Sequence, residues 1–221
     1  MIKIENLKAY NFDGALRGMR NPLESWDKSD SYFNENNEFI VGEADKKLAI
    51  SLILAGTDHS KFMRQIGVCM DITAPMSWWW DFDTYKVATT RNSSSRMHKL
   101  GTRLLTFDDF STDNEFGEKK ITKFRKYVLD DINNRILSFQ ELKGTGAEKE
   151  ALILWRDILL DLPASYNFFS TWTGNYENMR NIYHARRNHK QREFREFCEI
   201  IEQDLPCSEF ITVKKLVKSK N

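Results

Sequence analysis

The spacing of apolar residues along the chain predicts a protein built mainly of helices. Apolar positions recur at three- and four-residue steps in several segments, which is the period of an amphipathic helix. The predicted helices cover 11–22, 43–55, 119–139, 147–160 and 175–203. Helix-breaking residues end these segments: Pro22 follows the first, Gly56 follows the second, and Gly144 and Gly146 separate the third from the fourth.

Signals for strands and loops are sparser. The segment IGVCMDIT, residues 66–73, alternates loosely and carries β-branched side chains, so it is predicted to be a strand. Ala74-Pro75 is then expected to open a helix with proline in its first turn. The predicted loops cover 27–38, 83–97 and 111–118. The basic tail, 211–221, is expected to fray. The mixture indicates the α+β class, and because no linker divides the chain, 1–221 is predicted to be a single domain.

Charge and cysteine content narrow the classes of function. The chain has 33 basic and 32 acidic residues, so it lacks the positive field that non-specific nucleic-acid binding requires. Its three cysteines show neither a disulfide pattern nor a metal-binding spacing. The first residues, MIKIENLKAYNF, lack the apolar core of a signal peptide, and no apolar run is long enough to span a bilayer. We therefore expect a cytoplasmic protein with neither a nucleic-acid nor a membrane partner.

Three consecutive tryptophans, Trp78, Trp79 and Trp80, stand on the helix expected after Pro75. Successive residues on a helix point about 100° apart, so the three side chains cannot all face the core. At least one is predicted to face outward, where it would meet a ligand or a partner subunit.

Two polar clusters could carry chemistry. The first combines hydroxyls, amides and guanidinium groups that suit a phosphate, although composition alone favours a solvated Ser-rich turn. Its members are Lys86, Thr89, Thr90, Arg91, Asn92, Ser93, Ser94, Ser95, Arg96 and His98. The second spans 174–197, where Arg180, His184 and Arg187 fall near one face of a helix. The alternative for this second cluster is a solvated basic face with i,i+4 pairs such as Arg192–Glu196. No nucleotide-binding glycine loop, zinc motif or serine-hydrolase motif is present.

The order of these segments resembles the flavin-dependent thymidylate synthases. That family carries the signature R-H-R-x-x-S-x-x-x-x-S-x-R after a strand and an Ala-Pro. Here the segment from Thr84 to Arg96 has the same spacing, with Thr84-Tyr85-Lys86 in place of Arg-His-Arg. A further match covers 45–100, which includes a Gly-His turn with His59. Another covers 145–197, where the matching residues are Leu162-Pro163, Trp172-Thr173, Asn175, Asn181, Arg186, Gln191, Glu193 and Arg195.

The resemblance implies a fold with a central, mostly antiparallel sheet flanked by long helices, and roles for individual residues. Thr89 and Ser94 occupy the serine positions of the signature and are expected to be catalytic. The residues expected to bind dUMP are Asn92, Ser94, Arg96 and Arg186. Those expected to contact FAD or the folate are His59, Thr84, Tyr85, Lys86, Asn175, Asn181 and His189. No metal ligand is expected.

The resemblance also implies an activity, the FAD-dependent methylation of dUMP to dTMP with methylenetetrahydrofolate and NADPH as co-substrates, or a related pyrimidine modification. It further implies a homotetramer whose active sites are shared between subunits. Two alternatives stay open. One is a paralogue that binds a pyrimidine nucleotide without flavin chemistry, and the other is a helical interaction protein with a basic C-terminal face.

Overall fold

The computed structural model describes residues 2–214, except for the side chains of Met97 and His98, so the predicted fraying of the tail beyond residue 214 lies outside the described residues. The strands and helices, in chain order, are β1 (Lys3–Tyr10), α1 (Phe12–Arg20), β2 (Tyr32–Phe33), β3 (Phe39–Ile40), α2 (Glu43–Ala55), β4 (Gly67–Pro75), α3 (Met76–Phe82), β5 (Thr90–Ser93), α4 (Arg96–Lys99), α5 (Lys123–Leu142), α6 (Glu148–Leu160), β6 (Asn167–Asn175), α7 (Tyr176–Arg186), α8 (Arg192–Asp204) and α9 (Glu209–Thr212). Four strands form a sheet in the order β1-β4-β6-β5, and β2 pairs with β3 in an antiparallel hairpin. This mixture of helices and antiparallel sheet confirms the predicted α+β class.

The chain forms two compact units. The first unit consists mainly of Ile72–Thr84 and Asn92–Ser170, and the second consists of Ile4–Asp71, Tyr85–Arg91 and the chain from Thr171 onward. Strands β4 and β6 each contribute residues to both units.

The core of the first unit lies around α5 and α6. The buried apolar side chains that form it are Leu100, Leu105, Phe110, Leu129, Ile132, Ile136, Ile158 and Leu162. Burying each of these large side chains contributes roughly 1.5–3 kcal/mol to folding. The helix α5 begins at Lys123 rather than at the predicted residue 119, because the Thr122 hydroxyl accepts a hydrogen bond from the Arg125 N–H and caps the helix there.

The three tryptophans separate as the helix geometry requires. Trp78 is fully buried and stacks on Phe82 with ring centroids 4.3 Å apart, while the Trp79 indole N–H donates to the Phe168 carbonyl at 2.9 Å. Trp80 points outward with 61% of its surface exposed, which confirms the prediction that one of them leaves the core. The prediction for Pro75 was wrong in detail: its ψ of 149° makes it the last residue of β4 and the cap of α3, which begins at Met76.

The core of the second unit is rich in aromatic rings. Phe12 of α1 packs edge-on against Tyr176 of α7 at 5.3 Å, and Phe62 packs edge-on against Phe210 of α9 at 6.2 Å. The helix predicted over 175–203 is two helices, α7 and α8, separated by an irregular segment between Arg186 and Arg192. The predicted i,i+4 pair is present on α8, where the Arg192 Nε donates to the Glu196 carboxylate at 2.8 Å.

The polar segment 27–38, predicted to be a loop, is fastened to the second unit by one buried carboxylate. Asp45 of α2 accepts hydrogen bonds from Arg20 at 2.6 Å, from the Ser29 hydroxyl at 2.5 Å and from the Ser31 hydroxyl at 2.6 Å. Asp30 accepts from the backbone N–H groups of the first turn of α2. Part of the segment also forms β2, so it is ordered by specific contacts rather than being a plain loop.

Candidate functional site

Three of the predicted nucleotide-binding residues lie close together in the chain within the first unit. Asn92 is exposed on β5, and the backbone N–H of Ser94 donates to the Phe169 carbonyl at 3.0 Å. Arg96 opens α4 with its guanidinium 5.4 Å from the Phe168 ring centroid and its Nη1 3.6 Å from the Met76 sulfur. Within residues 2–214 no carboxylate pairs with Arg96. The Ser94 hydroxyl also donates to the Phe169 carbonyl, at 3.3 Å. Arg96 is thus a half-buried cation that follows a hydroxyl and an amide closely in the chain, and such a cation suits an anion such as a phosphate.

The second unit brings together Tyr85, Arg186 and His189. The Arg186 Nε donates to the Tyr85 hydroxyl at 2.9 Å, and its Nη1 lies 2.8 Å from His189 Nε2. The guanidinium lies between two rings, with its central carbon 5.5 Å from the Tyr85 centroid and 4.8 Å from the Phe194 centroid. Like Arg96, it has no carboxylate partner among the residues that the structure describes. Its Nη2 is therefore left to bind an anion from solution.

A hydrogen bond joins Arg186 to His189. Because a guanidinium has no acceptor atom, His189 Nε2 accepts in this bond. The Gln191 N–H lies 3.2 Å from Nδ1 on the other side of the ring. His189 thus holds one edge of the Arg186 guanidinium.

Asn175 and its neighbour Asn178 perform a structural task at the start of α7. Asn175 Oδ1 accepts from the Asn178 N–H, and Asn178 Oδ1 accepts from the Asn175 N–H, each at 3.0 Å. This reciprocal capping box uses the amide oxygen of Asn175 within the fold. The Asn178 side chain also donates to the Val87 carbonyl at 3.0 Å and so holds the segment after Tyr85. In contrast, Asn181 is exposed on α7.

The remaining predicted site residues, Thr89 for catalysis and Thr84, Lys86 and His59 for the cofactors, differ in availability. Thr84, in the first unit, donates its hydroxyl hydrogen to the Asp81 carbonyl at 2.7 Å and closes the end of α3. In the second unit, Thr89 donates to the Tyr85 carbonyl at 3.2 Å, Lys86 is exposed, and Ala88 has a left-handed φ of 57°. His59 is exposed in the turn after α2, where it lines a separate cavity of about 410 Å³ together with Asp58 and Lys61 among others.

The basic face that the sequence placed on α7 is engaged in folding. Arg180 donates to the backbone carbonyls of Phe210 at 3.4 Å and Ile211 at 3.0 Å, and it also donates to the Val213 carbonyl. Burial lowers the pKa of Arg180. Burial and the charge of Arg180 lower the pKa of His184, against the opposing effect of the Ile211 carbonyl. This face of α7 therefore anchors the end of the described chain, not a ligand.

The thiol groups of Cys198 and Cys207 are shielded from solvent. Burial raises the pKa of Cys198 to about 12 and that of Cys207 to about 12, so neither is a thiolate near neutral pH. No cluster of metal-binding side chains occurs in residues 2–214. None of the helices in the same range has the length and apolarity that crossing a bilayer requires.

The donor set fits phosphorylated ligands. Several arginines in the described chain pair with carboxylates, as Arg64 does with Glu177 and Arg103 does with Asp109, whereas Arg96 and Arg186 do not. A phosphate would supply the missing negative charge. For a flavin dinucleotide, the exposed Lys86 and Asn181 offer a cation and an amide, while the hydroxyl of Thr84 and the amide oxygen of Asn175 are already bonded within the fold.

Comparisons with known proteins identify the fold. No family model and no curated protein sequence matches the chain. Among solved structures, thymidylate synthase X from Helicobacter pylori, determined with FAD and dUMP, is similar with a TM-score of 0.66 and 15% identity over 95% of this chain and 96% of that chain. The UMP/dUMP methylase PolB from Streptomyces cacaoi, bound with 5-Br dUMP, is similar with a TM-score of 0.54 and 15% identity over 91% of this chain and 88% of that one. The chain therefore has the fold of the flavin-dependent thymidylate synthases, as its sequence predicted.

Proposed function

We propose that this chain is a flavoprotein that modifies a pyrimidine nucleotide, and that its reaction is the methylation of dUMP to dTMP with methylenetetrahydrofolate and NADPH. The observation that carries the proposal is the extent of the fold similarity. It covers 95% of this chain and 96% of a thymidylate synthase whose structure contains FAD and dUMP. The sequence motifs that match this family occur in the same order as in the family, and they support the same function.

Arg96 and Arg186, neither of which pairs with a carboxylate, are assigned to the nucleotide. In the first unit Arg96 would bind the phosphate of dUMP, with Ser94 and Asn92 as additional hydrogen-bonding groups. In the second unit Arg186 would bind dUMP through Nη2, supported on its other edges by Tyr85 and His189. These residues bind and orient the substrate, which is the main contribution that a protein makes when a cofactor carries the electrons.

The flavin contacts are assigned to the residues that the fold leaves accessible. FAD, when bound, would supply the electron transfer that reductive methylation needs. Lys86 would meet its negatively charged pyrophosphate, and Asn181 would offer an amide from the exposed face of α7. Tyr85, His189 and His59 remain predicted flavin or folate contacts, and Thr89 remains a predicted catalytic residue together with Ser94. We also keep as predictions the single domain over 1–221, the cytoplasmic location, and a homotetramer in which Trp80 meets another subunit.

A nucleotide-binding protein without flavin chemistry is the second candidate. It is favoured by the residues at the start of the signature, where Thr84 and Tyr85 are bonded within the fold instead of offering two arginines and a histidine to a cofactor. The capping role of Asn175 points the same way.

Binding and turnover measured on the purified chain distinguish these candidates. The protein is titrated with FAD by absorbance and fluorescence, then with dUMP by calorimetry, and NADPH oxidation is followed with and without dUMP. Bound FAD together with oxidation that depends on dUMP supports the enzyme. Binding of dUMP without FAD supports the second candidate, and failure to bind either ligand contradicts both.

A further inference from the structure

A small apolar cavity lies within the first unit, in a region to which no role has been assigned. It has a volume of about 150 Å³. The apolar side chains that line it are Phe107, Phe110, Phe124, Val128, Leu129 and Pro163, and the polar ones are Thr112, Arg125 and Ser165. All of these residues belong to the first unit, and none is among the residues proposed to bind dUMP or FAD.

The size and lining of the cavity suit one aromatic ring. Apolar cavities of about 150 Å³ stay dry and accept ligands of the size of benzene. Three phenylalanine rings contribute to the wall, and aromatic rings pair favourably with a guest ring in edge-on or offset arrangements. Phe110 and Leu129 are buried, whereas Phe124 is 73% exposed, so the cavity opens to solvent past the Phe124 ring.

Arg125 gives the cavity an anion-binding end. Its Nη1 donates to the Thr112 carbonyl at 2.6 Å and also to the Lys120 carbonyl, which places the guanidinium beside Thr112 at the cavity wall. Within the described range 2–214, Arg125 forms no ion pair, and its Nε and Nη2 have no acceptor.

Two acids beside the lining residues Phe107 and Phe110 are already paired with other cations. Asp109 binds Arg103 at 2.5 Å, and Asp108 binds Lys119 at 3.1 Å. Neither carboxylate therefore pairs with Arg125.

We propose that this cavity binds a small aromatic carboxylate, with the ring among Phe107, Phe110 and Phe124 and the carboxylate on Arg125. A neutral aromatic compound would fill the same volume but would leave the guanidinium without its anion. A short aliphatic carboxylate would reach Arg125 but would leave the apolar walls uncovered. Both halves of the ligand are needed, and benzoate is the simplest molecule that has them.

Titration of the full-length chain with benzoate tests the proposal. The methyl resonances of Val128 and Leu129 are followed by NMR, because both side chains line the cavity. We expect saturable shifts with a Kd on the order of 1 mM, which is typical of a ligand of this size. Benzamide, which lacks the charge, is expected to bind about tenfold more weakly, since the ion pair between the guanidinium and a carboxylate is replaced by a hydrogen bond from the guanidinium to a neutral carbonyl. Acetate is expected to cause no saturable shift.

Variants separate the cavity from general charge effects. Arg125→Met is expected to weaken benzoate binding about tenfold and to make benzoate and benzamide equivalent. The matched control is Lys126→Met, which removes an exposed positive charge from the next position of α5 without altering the cavity lining, and its benzoate affinity should stay unchanged. Val128→Phe, which fills the cavity with a ring of its own, should abolish binding.

Results on the wild-type chain alone are sufficient to overturn the proposal, so it does not depend on how well the variants fold. Absence of saturable methyl shifts with benzoate contradicts it. So does equal binding of benzoate and benzamide, which would make the cavity an unselective apolar site. Self-association of the chain is measured by sedimentation. If the methyl shifts follow self-association and not the concentration of benzoate, another copy of the chain covers the cavity, and the proposal is contradicted.

Discussion

Arg96 in the first unit and Arg186 in the second unit have the same predicted role but different surroundings. Arg186 is held between the Tyr85 and Phe194 rings and has hydrogen-bonding partners at Nε and Nη1. Arg96 contacts one ring and a thioether sulfur. A side chain that is fixed before its ligand arrives loses less conformational entropy on binding. The comparison therefore predicts that Arg186 is an anion site held in place before the ligand binds, although two of its nitrogens already have partners. Arg96 is predicted to be a more accessible site whose side chain becomes ordered only when the ligand binds.

Removing either arginine tests the shared role and should have the largest effect. Arg96→Ala and Arg186→Ala are each expected to weaken dUMP binding by roughly 2–4 kcal/mol, as for the loss of one partner of a desolvated charge pair. Calorimetry measures the change. Arg64→Ala is the control, because Arg64 is exposed and paired with Glu177, so its loss should leave dUMP affinity unaltered. Unchanged dUMP affinity in both test variants would contradict the assignment of these arginines to the dUMP site.

The same two variants should differ in folding stability. Arg186→Ala is expected to lower the free energy of unfolding by about 1–2 kcal/mol, because two ring contacts and two hydrogen bonds are lost. Arg96→Ala is expected to change it by less than about 0.5 kcal/mol, since few contacts are lost. Urea denaturation followed by circular dichroism measures both values. Equal destabilisation would mean that the two arginines are held alike and that the comparison is wrong.

Tyr85→Phe sharpens the comparison by releasing one edge of Arg186. The variant keeps the ring under the guanidinium but removes the hydroxyl that accepts from Nε. Because the hydroxyl helps to hold the guanidinium while dUMP is assigned to Nη2, its loss should lower dUMP affinity by about 0.5–1.5 kcal/mol, the net value of one hydrogen bond. Tyr183→Phe is a suitable control, because the Tyr183 hydroxyl binds Glu202 instead. A rise in affinity with Tyr85→Phe would show that the hydroxyl competes with the ligand for Arg186.

The smallest expected effect is a difference in pH response between the two units. Burial and the charge of Arg180 lower the pKa of His184 below its usual 6.5, so the unfolded chain takes up a proton more readily than the folded one. The stability from neutral His184 is thus present above about pH 6.5 and is lost as the pH falls through that value. The His184→Gln variant should flatten this part of the curve of denaturation midpoint against pH.

Asp109 of the first unit should respond at lower pH. Burial alone would raise the pKa of Asp109, but hydrogen bonds from Arg103 and the Thr106 backbone outweigh it and hold the pKa below 3.8. The stability from ionised Asp109 is present above that value and is lost as the pH falls through the folded-state pKa. An Asp109→Asn variant should therefore differ from the wild type in pH dependence only in this acidic range. If His184→Gln and Asp109→Asn altered the same pH range, this assignment of the two transitions would be wrong.

Helices could be predicted from the sequence better than strands. The range 43–55 was correct for α2 because a dense apolar segment ends at a glycine, and here Gly56 has a φ of 123°. The strand β1 was missed because Asn6 has a left-handed φ of 52°, which interrupts the alternation and places its half-buried residues Ile4 and Leu7 three positions apart. The strand β5 is a short polar segment, TRNS, whose extended form comes from pairing in the sheet and not from its composition.

The candidate site was predictable in its residue types but not in its internal contacts. Motif order identified Arg96 and Arg186, yet it could not show that Tyr85 faces Arg186, because the two are 101 positions apart in the chain. Phe194 stands between Glu193 and Arg195 of a matched motif, but nothing in that motif indicates a ring under a guanidinium. Asn178 was not singled out, although its position three residues after Asn175 is the spacing of a capping box.

The anchoring of the chain end by Arg180 has a practical consequence for expression boundaries. A polypeptide shortened to Leu205 would lack the Phe210 and Ile211 carbonyls that accept from Arg180, together with the Phe210 ring that packs on Phe62. The half-buried guanidinium would then have lost these acceptors, and apolar surface on the second unit would be uncovered. Such a fragment is expected to aggregate, whereas an affinity tag added beyond residue 214 leaves these contacts intact.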